Sequence, residues 1–226
     1  MELKWSERSL PTNCDSCLLW YEGSLRYAQK LLVRGDLRWR YVGVTHEYIE
    51  CLDRLDIQGS LQDVTVIHHM DGGSRHEKTQ RDLDLLERER QSDEDNPRTV
   101  FYLAQTLEDS GNLLGACVNY GIRSRMGGWE EERWLAQVRH ARLLPHANGS
   151  PQEARSLLLA AWDARPWRSE PLYHYSALSR SEGAYNSSLM AAQYGKKIPT
   201  PKDDLLFVEN WIYDWGLVFE ESVSLW

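Results

Sequence analysis

The sequence predicts a mostly α-helical α+β chain, a small partial mixed sheet followed by a tetratricopeptide-like helical repeat. Three observations carry this. Short β-branched and aromatic runs dominate before residue 74, as in Trp39-Arg40-Tyr41-Val42 and Val64-Thr65-Val66-Ile67. From Ser74 onward the apolar spacing changes to that of helices. Pro166 and Pro199 then stand 33 positions apart, and Pro97 lies 69 before Pro166, close to two such periods. The expected division is residues 1–73 and 74–226.

Residues 1–17 are polar and close on a Pro11-Thr12-Asn13 turn signal. Cys17-Leu18-Leu19-Trp20-Tyr21 has the length of a buried strand. Leu25 to Val33 fits either a strand or a helical turn, and Arg34-Gly35-Asp36 is a turn. Arg38 to Val44 is a predicted strand, and His46 to Cys51 continues extended or turns. Gln58-Gly59-Ser60 is a predicted loop and Val64 to His68 a strand. Ser74, three residues before Glu77, has the capping-box spacing that opens a helix running to about Gln91.

Beyond Pro97 helices come in pairs. The first is Pro97–Gly111 with Leu113–Arg125, the second Trp129–Leu144 with Pro151–Arg165, and the third Glu170–Ser181 with Ala184–Lys196. Helical hairpins stack because none buries its apolar face alone. The second pair has a lengthened first helix, and Ser187 takes the place of a small packing residue in the third. Asp203 to Trp226 is apolar enough to seal the stack or to form an interface.

A chain of 226 residues with 42% hydrophobic content can bury a core. No apolar run reaches the 18 residues of a membrane span, and with no signal-like start a cytoplasmic location is the expectation. A net charge of −8 argues against nucleic acid as a partner. Cys14-Asp15-Ser16-Cys17 has the spacing of a zinc half-site, but no well-spaced second pair accompanies it, so two reduced cysteines is the favoured reading. Ten Trp and eleven Tyr against three Phe suit helix-repeat cores, and they also suit sugar-stacking surfaces.

Trp39-Arg40-Tyr41-Val42-Gly43 followed by Thr45-His46-Glu47-Tyr48 resembles the acceptor-side segment of family 2 glycosyltransferases. Val66-Ile67-His68-His69, Gly72-Gly73-Ser74-Arg75, Lys78 and Arg81-Asp82 resemble the close of that domain. Asn96 to Thr106, Gly127-Gly128-Trp129-Glu130-Glu131-Glu132 and Asp204 to Glu209 resemble the tetratricopeptide tail of bacterial members, so the likeness runs over about residues 18–226. The metal-binding Asp-x-Asp of the nucleotide-binding half is not found before Trp39. Asp82-Leu83-Asp84 has the letters but lies in a predicted helix. The resemblance therefore implies the C-terminal part of a GT-A-type hexosyltransferase, incomplete for catalysis by itself.

The resemblance also implies roles. Glu47, beside His46, would be the base that takes the acceptor proton. His68 or His69 would help hold a divalent metal, Mn or Mg, in a complete enzyme. Arg75 and Lys78 would meet the diphosphate, and Trp39, Tyr41 and Trp20 would face sugar. Partners would be a nucleotide-sugar donor and a glycan or protein acceptor. The competing reading is a tetratricopeptide scaffold without enzymatic activity, binding a protein partner through its repeat face. A third is a fragment with no function of its own.

Overall fold

The computed structural model describes residues 2–5, 13–67 and 75–225. The chain forms two compact units. The first takes in Met1–Arg75 together with Asp204–Val208, and the second takes in His76–Asp203 together with Glu209–Trp226.

The first unit is built on strands β1 (Glu2–Trp5), β2 (Ser16–Tyr21), β3 (Leu25–Val33), β4 (Trp39–Val42), β5 (Tyr48–Cys51) and β6 (Gln58–Ile67). With the two-residue β7 (Val208–Glu209) they make a five-stranded sheet of order β1-β6-β2-β3-β7 and a separate β4-β5 ribbon. Strand β2 pairs antiparallel with β3 and parallel with β6, while β1 runs antiparallel to β6. Cys14, Cys17, Leu19, Val64 and Val66 form its core, with Tyr21, Leu32 and Leu61 packed against them. Tyr21 stacks on Tyr27 at 4.6 Å, and Tyr27 meets the edge of Phe207 at 5.3 Å.

Two local expectations change here. Leu25–Val33, open between strand and helix, is a nine-residue strand. Gln58-Gly59-Ser60, expected as a loop, is the start of β6, because each residue pairs with β2: Ser16 opposite Gln58, Cys17 opposite Gly59, Leu18 opposite Ser60. Strand β6 is thus ten residues long. The capping box of Ser74 falls outside the described residues.

The second unit is helical: α1 (Arg75–Ser92), α2 (Pro97–Asp109), α3 (Leu113–Arg123), α4 (Glu130–Leu143), α5 (Pro151–Ala164), α6 (Glu170–Ser181), α7 (Tyr185–Gly195) and α8 (Leu217–Ser224). Local chemistry sets the boundaries. Asn96 accepts from the Thr99 amide ahead of Pro97, Asn112 from that of Gly115, and Ser150 from that of Glu153 ahead of Pro151. The added length in the second pair is a 3-10 turn, Leu144–Ala147, closed by Asn148 in the left-handed region.

From α2 to α8 each helix packs on the next, so the unit is an array of consecutively packed helices. Fully buried Ala104, Ala116, Ala136, Ala141, Ala154, Ala161 and Ala192 let the helices approach. The small packing residue of the third pair is Ser188, not Ser187. Its hydroxyl lies 2.8 Å from that of Ser176 on α6 and 2.7 Å from that of Ser224 on α8. No helix among the described residues is long and apolar enough to cross a membrane.

Candidate functional site

The residues singled out in the sequence occupy different settings. Strands β4 and β5 form a hairpin with Trp39 opposite Cys51 and Val42 opposite Tyr48. His46 and Glu47 lie in its connecting turn, both exposed, with Gly43 (φ 109°) and His46 (φ 49°) supplying the left-handed backbone. Trp39 and Tyr41, two apart, share one face of β4. The Trp39 indole N–H donates to the Arg34 carbonyl at 2.8 Å, and Tyr41 is 70% exposed. Trp20 is 3% exposed. Its indole N–H donates to the Ser60 hydroxyl at 3.1 Å, and the Arg26 guanidinium covers its ring at 3.7 Å. It is a sheet-core residue with no ring face open to a sugar.

His68 and His69 lie outside the described residues. Arg75 is the first residue of α1, and Lys78 is exposed on the same helix. The hairpin thus gathers Trp39, Tyr41, His46 and Glu47. Among the described residues no group of three or more His, Cys, Asp or Glu is placed to hold a metal ion.

The second unit holds a concave site that the sequence did not single out. A pocket of about 230 Å³ is lined by Gln152, Arg155, Ser156 and Leu159 of α5, Tyr175 and Ser179 of α6, and Ala184 and Ser187 at the start of α7. Spacings of three and four put the α5 and α6 residues on single helix faces. Two donors at this pocket have no hydrogen-bond partner, the hydroxyl of fully buried Ser179 and the Arg155 Nη1. Arg155 Nη2 donates to Gln152 Oε1 at 2.8 Å, and Nη1 lies 4.0 Å from the half-exposed Glu182 carboxylate. Burying donors without acceptors costs about 1–3 kcal/mol each. No signal in the sequence separated Arg155 from the other helix arginines, because its distinction is a neighbour 24 positions away.

A polar network occupies α2, α3 and α4 of the same unit. Arg139 donates to Gln105 at 3.1 Å and to the Tyr120 hydroxyl at 2.7 Å. Tyr120 in turn donates to Glu108 at 3.0 Å, and Glu108 also pairs with Arg142. Burial holds the Tyr120 phenol well above its ordinary range. Glu209 stands 3.6 Å from His174. Burial alone would raise its pKa, but His174 and the charges of Arg142 and Arg139 bring it down to about 2. The network ties α2, α3 and α4 together, with the buried Arg142 Nε left without a hydrogen-bond partner.

No family model matches the chain, and no curated protein matches it. Among solved structures it is similar to MamA 41-end from Desulfovibrio magneticus RS-1 and to the MamA RS-1 ArsTM double mutant. Each is 12% identical, covering 67% of this chain and 82% of that chain at a TM-score of 0.48. The family 2 glycosyltransferase reading is corrected: no family model and no curated protein supports it, and neither does the sheet. Among the described residues no helix lies between β1 and β6, whereas a GT-A domain alternates strands and helices. What stands is a mostly helical α+β chain with a small sheet and an array of consecutively packed helices.

Proposed function

We propose that this protein is a protein-binding scaffold, and that the pocket of α5, α6 and α7 takes a carboxylate presented by a partner's peptide segment. The observation that carries the reading is the pair of unsatisfied donors, Ser179 Oγ and Arg155 Nη1, at one pocket of a helical array. A carboxylate satisfies both at once, and hydrogen bonds in which both groups are charged are the stronger kind. Leu159 and Tyr175 give the pocket an apolar wall for the stem that bears the carboxylate. The volume suits one side chain or one terminal residue, so the rest of a partner segment would lie on the surface around it. Exposed Tyr185, adjacent in sequence to Ala184 of the pocket, offers aromatic area there. A net charge of −8 is consistent with a peptide partner in preference to nucleic acid.

The test is fluorescence anisotropy of the whole chain against a library of short peptides, each made with a free carboxylate and as its amide. The reading expects a set of peptides whose carboxylate forms bind at least about tenfold more tightly than their amides, an advantage that Arg155→Ala abolishes. Glu182→Ala removes the carboxylate that competes for Arg155 and is expected to tighten binding several-fold. Equal binding of acid and amide forms, or an advantage that survives Arg155→Ala, would sink the carboxylate reading.

A further inference from the structure

Cys14 and Cys17 of the first unit take no part in the scaffold reading. Cys14 sits just before β2 and Cys17 is its second residue. Their sulfurs are 3.2 Å apart, and both side chains are buried. Three contacts hold them there. Asp15, between the cysteines, turns to the opposite side, accepting from Arg54 at 2.7 Å and from the Ile57 amide at 3.0 Å. Ser16 donates to Asp56, which is also held by Lys30 at 2.8 Å. Gly59 faces Cys17 in the parallel register, and a Cβ at Gly59 would stand 2.9 Å from the Cys14 sulfur. The missing side chain of Gly59 is what leaves room for both thiols in one place.

From this geometry we propose that Cys14 and Cys17 are an oxidisable dithiol, a modification site at which a small peroxide forms an intramolecular disulfide. A disulfide sets its sulfurs at about 2.05 Å, so closure asks for a movement of about 1 Å. The step balances. One thiolate attacks a peroxide oxygen, the O–O bond breaks, and a sulfenic acid and one water result. The second thiolate attacks the sulfenyl sulfur, the S–O bond breaks, the S–S bond forms, and a second water leaves. Two thiols lose two electrons and two protons, and the peroxide becomes two waters. A small oxidant is specified because both thiols are buried. A metal reading has no support in the same place, since no third ligand joins the pair among the described residues. Burial, with the neighbouring Cys14 thiol, pushes Cys17 up to about 11, so the pair rests as thiols and its reaction with peroxide is slow.

The experiment treats the whole chain with hydrogen peroxide, alkylates the remaining thiols, digests with trypsin and weighs the peptide that carries both residues. The expected product is that peptide lighter by two hydrogens and unalkylated, restored by dithiothreitol, with alkylated thiols falling from four to two. Cys14→Ser and Cys17→Ser are each expected to leave the other cysteine alkylated or sulfinylated with no S–S product. Gly59→Ala, by displacing Cys14, is expected to slow closure at least several-fold. The wild-type masses decide the matter even if a variant fails to fold. Full alkylation of the pair after peroxide, separate sulfinic acids on the two residues, or a bridge from either to Cys51 or Cys117 would overturn the proposal.

Discussion

Each unit is held together internally, by ties of different reach. In the helical unit the two ion pairs with fully buried guanidinium groups are local in sequence, although Arg180 also reaches Glu220 forty positions on. Arg123 Nε donates to Glu132 at 2.8 Å, and the same guanidinium gathers the carbonyls of Gly127 and Trp129, each at 3.2 Å, fixing the turn between α3 and α4. Arg168 and Glu170, two residues apart and 0% and 1% exposed, form a forked pair at 2.7–3.1 Å over the ring of Trp134. In the sheet unit the comparable ties span about forty residues: Asp15 to Arg54 and Ile57, Ser16 to Asp56, Trp20 to Ser60. A stack of helical hairpins is assembled from neighbours, whereas this sheet closes only when β6 returns beside β2.

The largest test of the contrast removes one member of a buried local pair. Glu170 also accepts from the Tyr213 hydroxyl at 2.7 Å, whose phenol burial and the Glu170 charge hold well above its ordinary range. Glu170→Ala removes the buried carboxylate that Arg168 and Tyr213 share. Breaking a buried pair in this way costs about 3–5 kcal/mol. Urea denaturation followed by helical circular dichroism should show a loss of that size. A loss below about 1 kcal/mol would mean that water relieves Arg168 and that the local tie contributes little.

The difference in reach also explains what could be read from the sequence. Each helix of the array carries its own period and its own boundary signal, such as Asn96-Pro97 or Ser150-Pro151, so the three pairs were legible from residues within a dozen positions. The start of β6 was not legible, because Gln58-Gly59-Ser60 looks like a loop until β2 is placed beside it. The short strand β1 has no pattern of its own and exists as the partner of β6. The candidate pocket was equally hidden. Arg155 and Ser179 mean something together only once α5 and α6 are packed. The family resemblance erred for a related reason: short runs such as Trp39–Gly43 match by letters, while what defines a sugar-nucleotide domain is how strands and helices alternate.

A pH titration probes a tie of long reach within the helical unit, Glu209 to His174 and the α4 arginines. Glu209 has a folded pKa of about 2 against an ordinary value of 4.5. Its contribution is therefore complete above about 4.5 and lost as the pH falls through that value toward 2. The depression corresponds to up to about 3 kcal/mol. Stability measured between pH 6 and pH 3 should fall less steeply in Glu209→Gln than in wild type. Parallel curves would show that other carboxylates carry the acid sensitivity.

Close approach between neighbouring helices offers a smaller effect. A Cβ at Gly195 would stand 2.9 Å from the Leu217 Cδ2 and 3.4 Å from Leu172, both buried. Gly195→Ala therefore overpacks the α6–α7–α8 junction, with an expected cost of about 1–3 kcal/mol. Hydrogen exchange should locate the loss at α8 and α7 before α2 and α3, since the repeat passes strain between neighbours. A uniform loss of protection across the array would show that the unit unfolds as one block.

The smallest effect is expected where a tie looks strong but is solvated. Arg40 and Glu50 are direct cross-strand partners on the β4–β5 ribbon, with their charged atoms 2.9 Å apart. Their side chains are 60% and 43% exposed, so water screens the attraction and each side chain gives up conformational freedom to make it. Glu50→Gln should change stability by no more than about 0.5 kcal/mol. A double-mutant cycle with Arg40→Gln should return a coupling of the same small size, shrinking further as salt is raised. A coupling above about 1.5 kcal/mol that persists in salt would mean that the ribbon excludes water around the pair. The ordering of ties by burial would then fail at an Arg–Glu pair that can be compared directly with those of the helical unit.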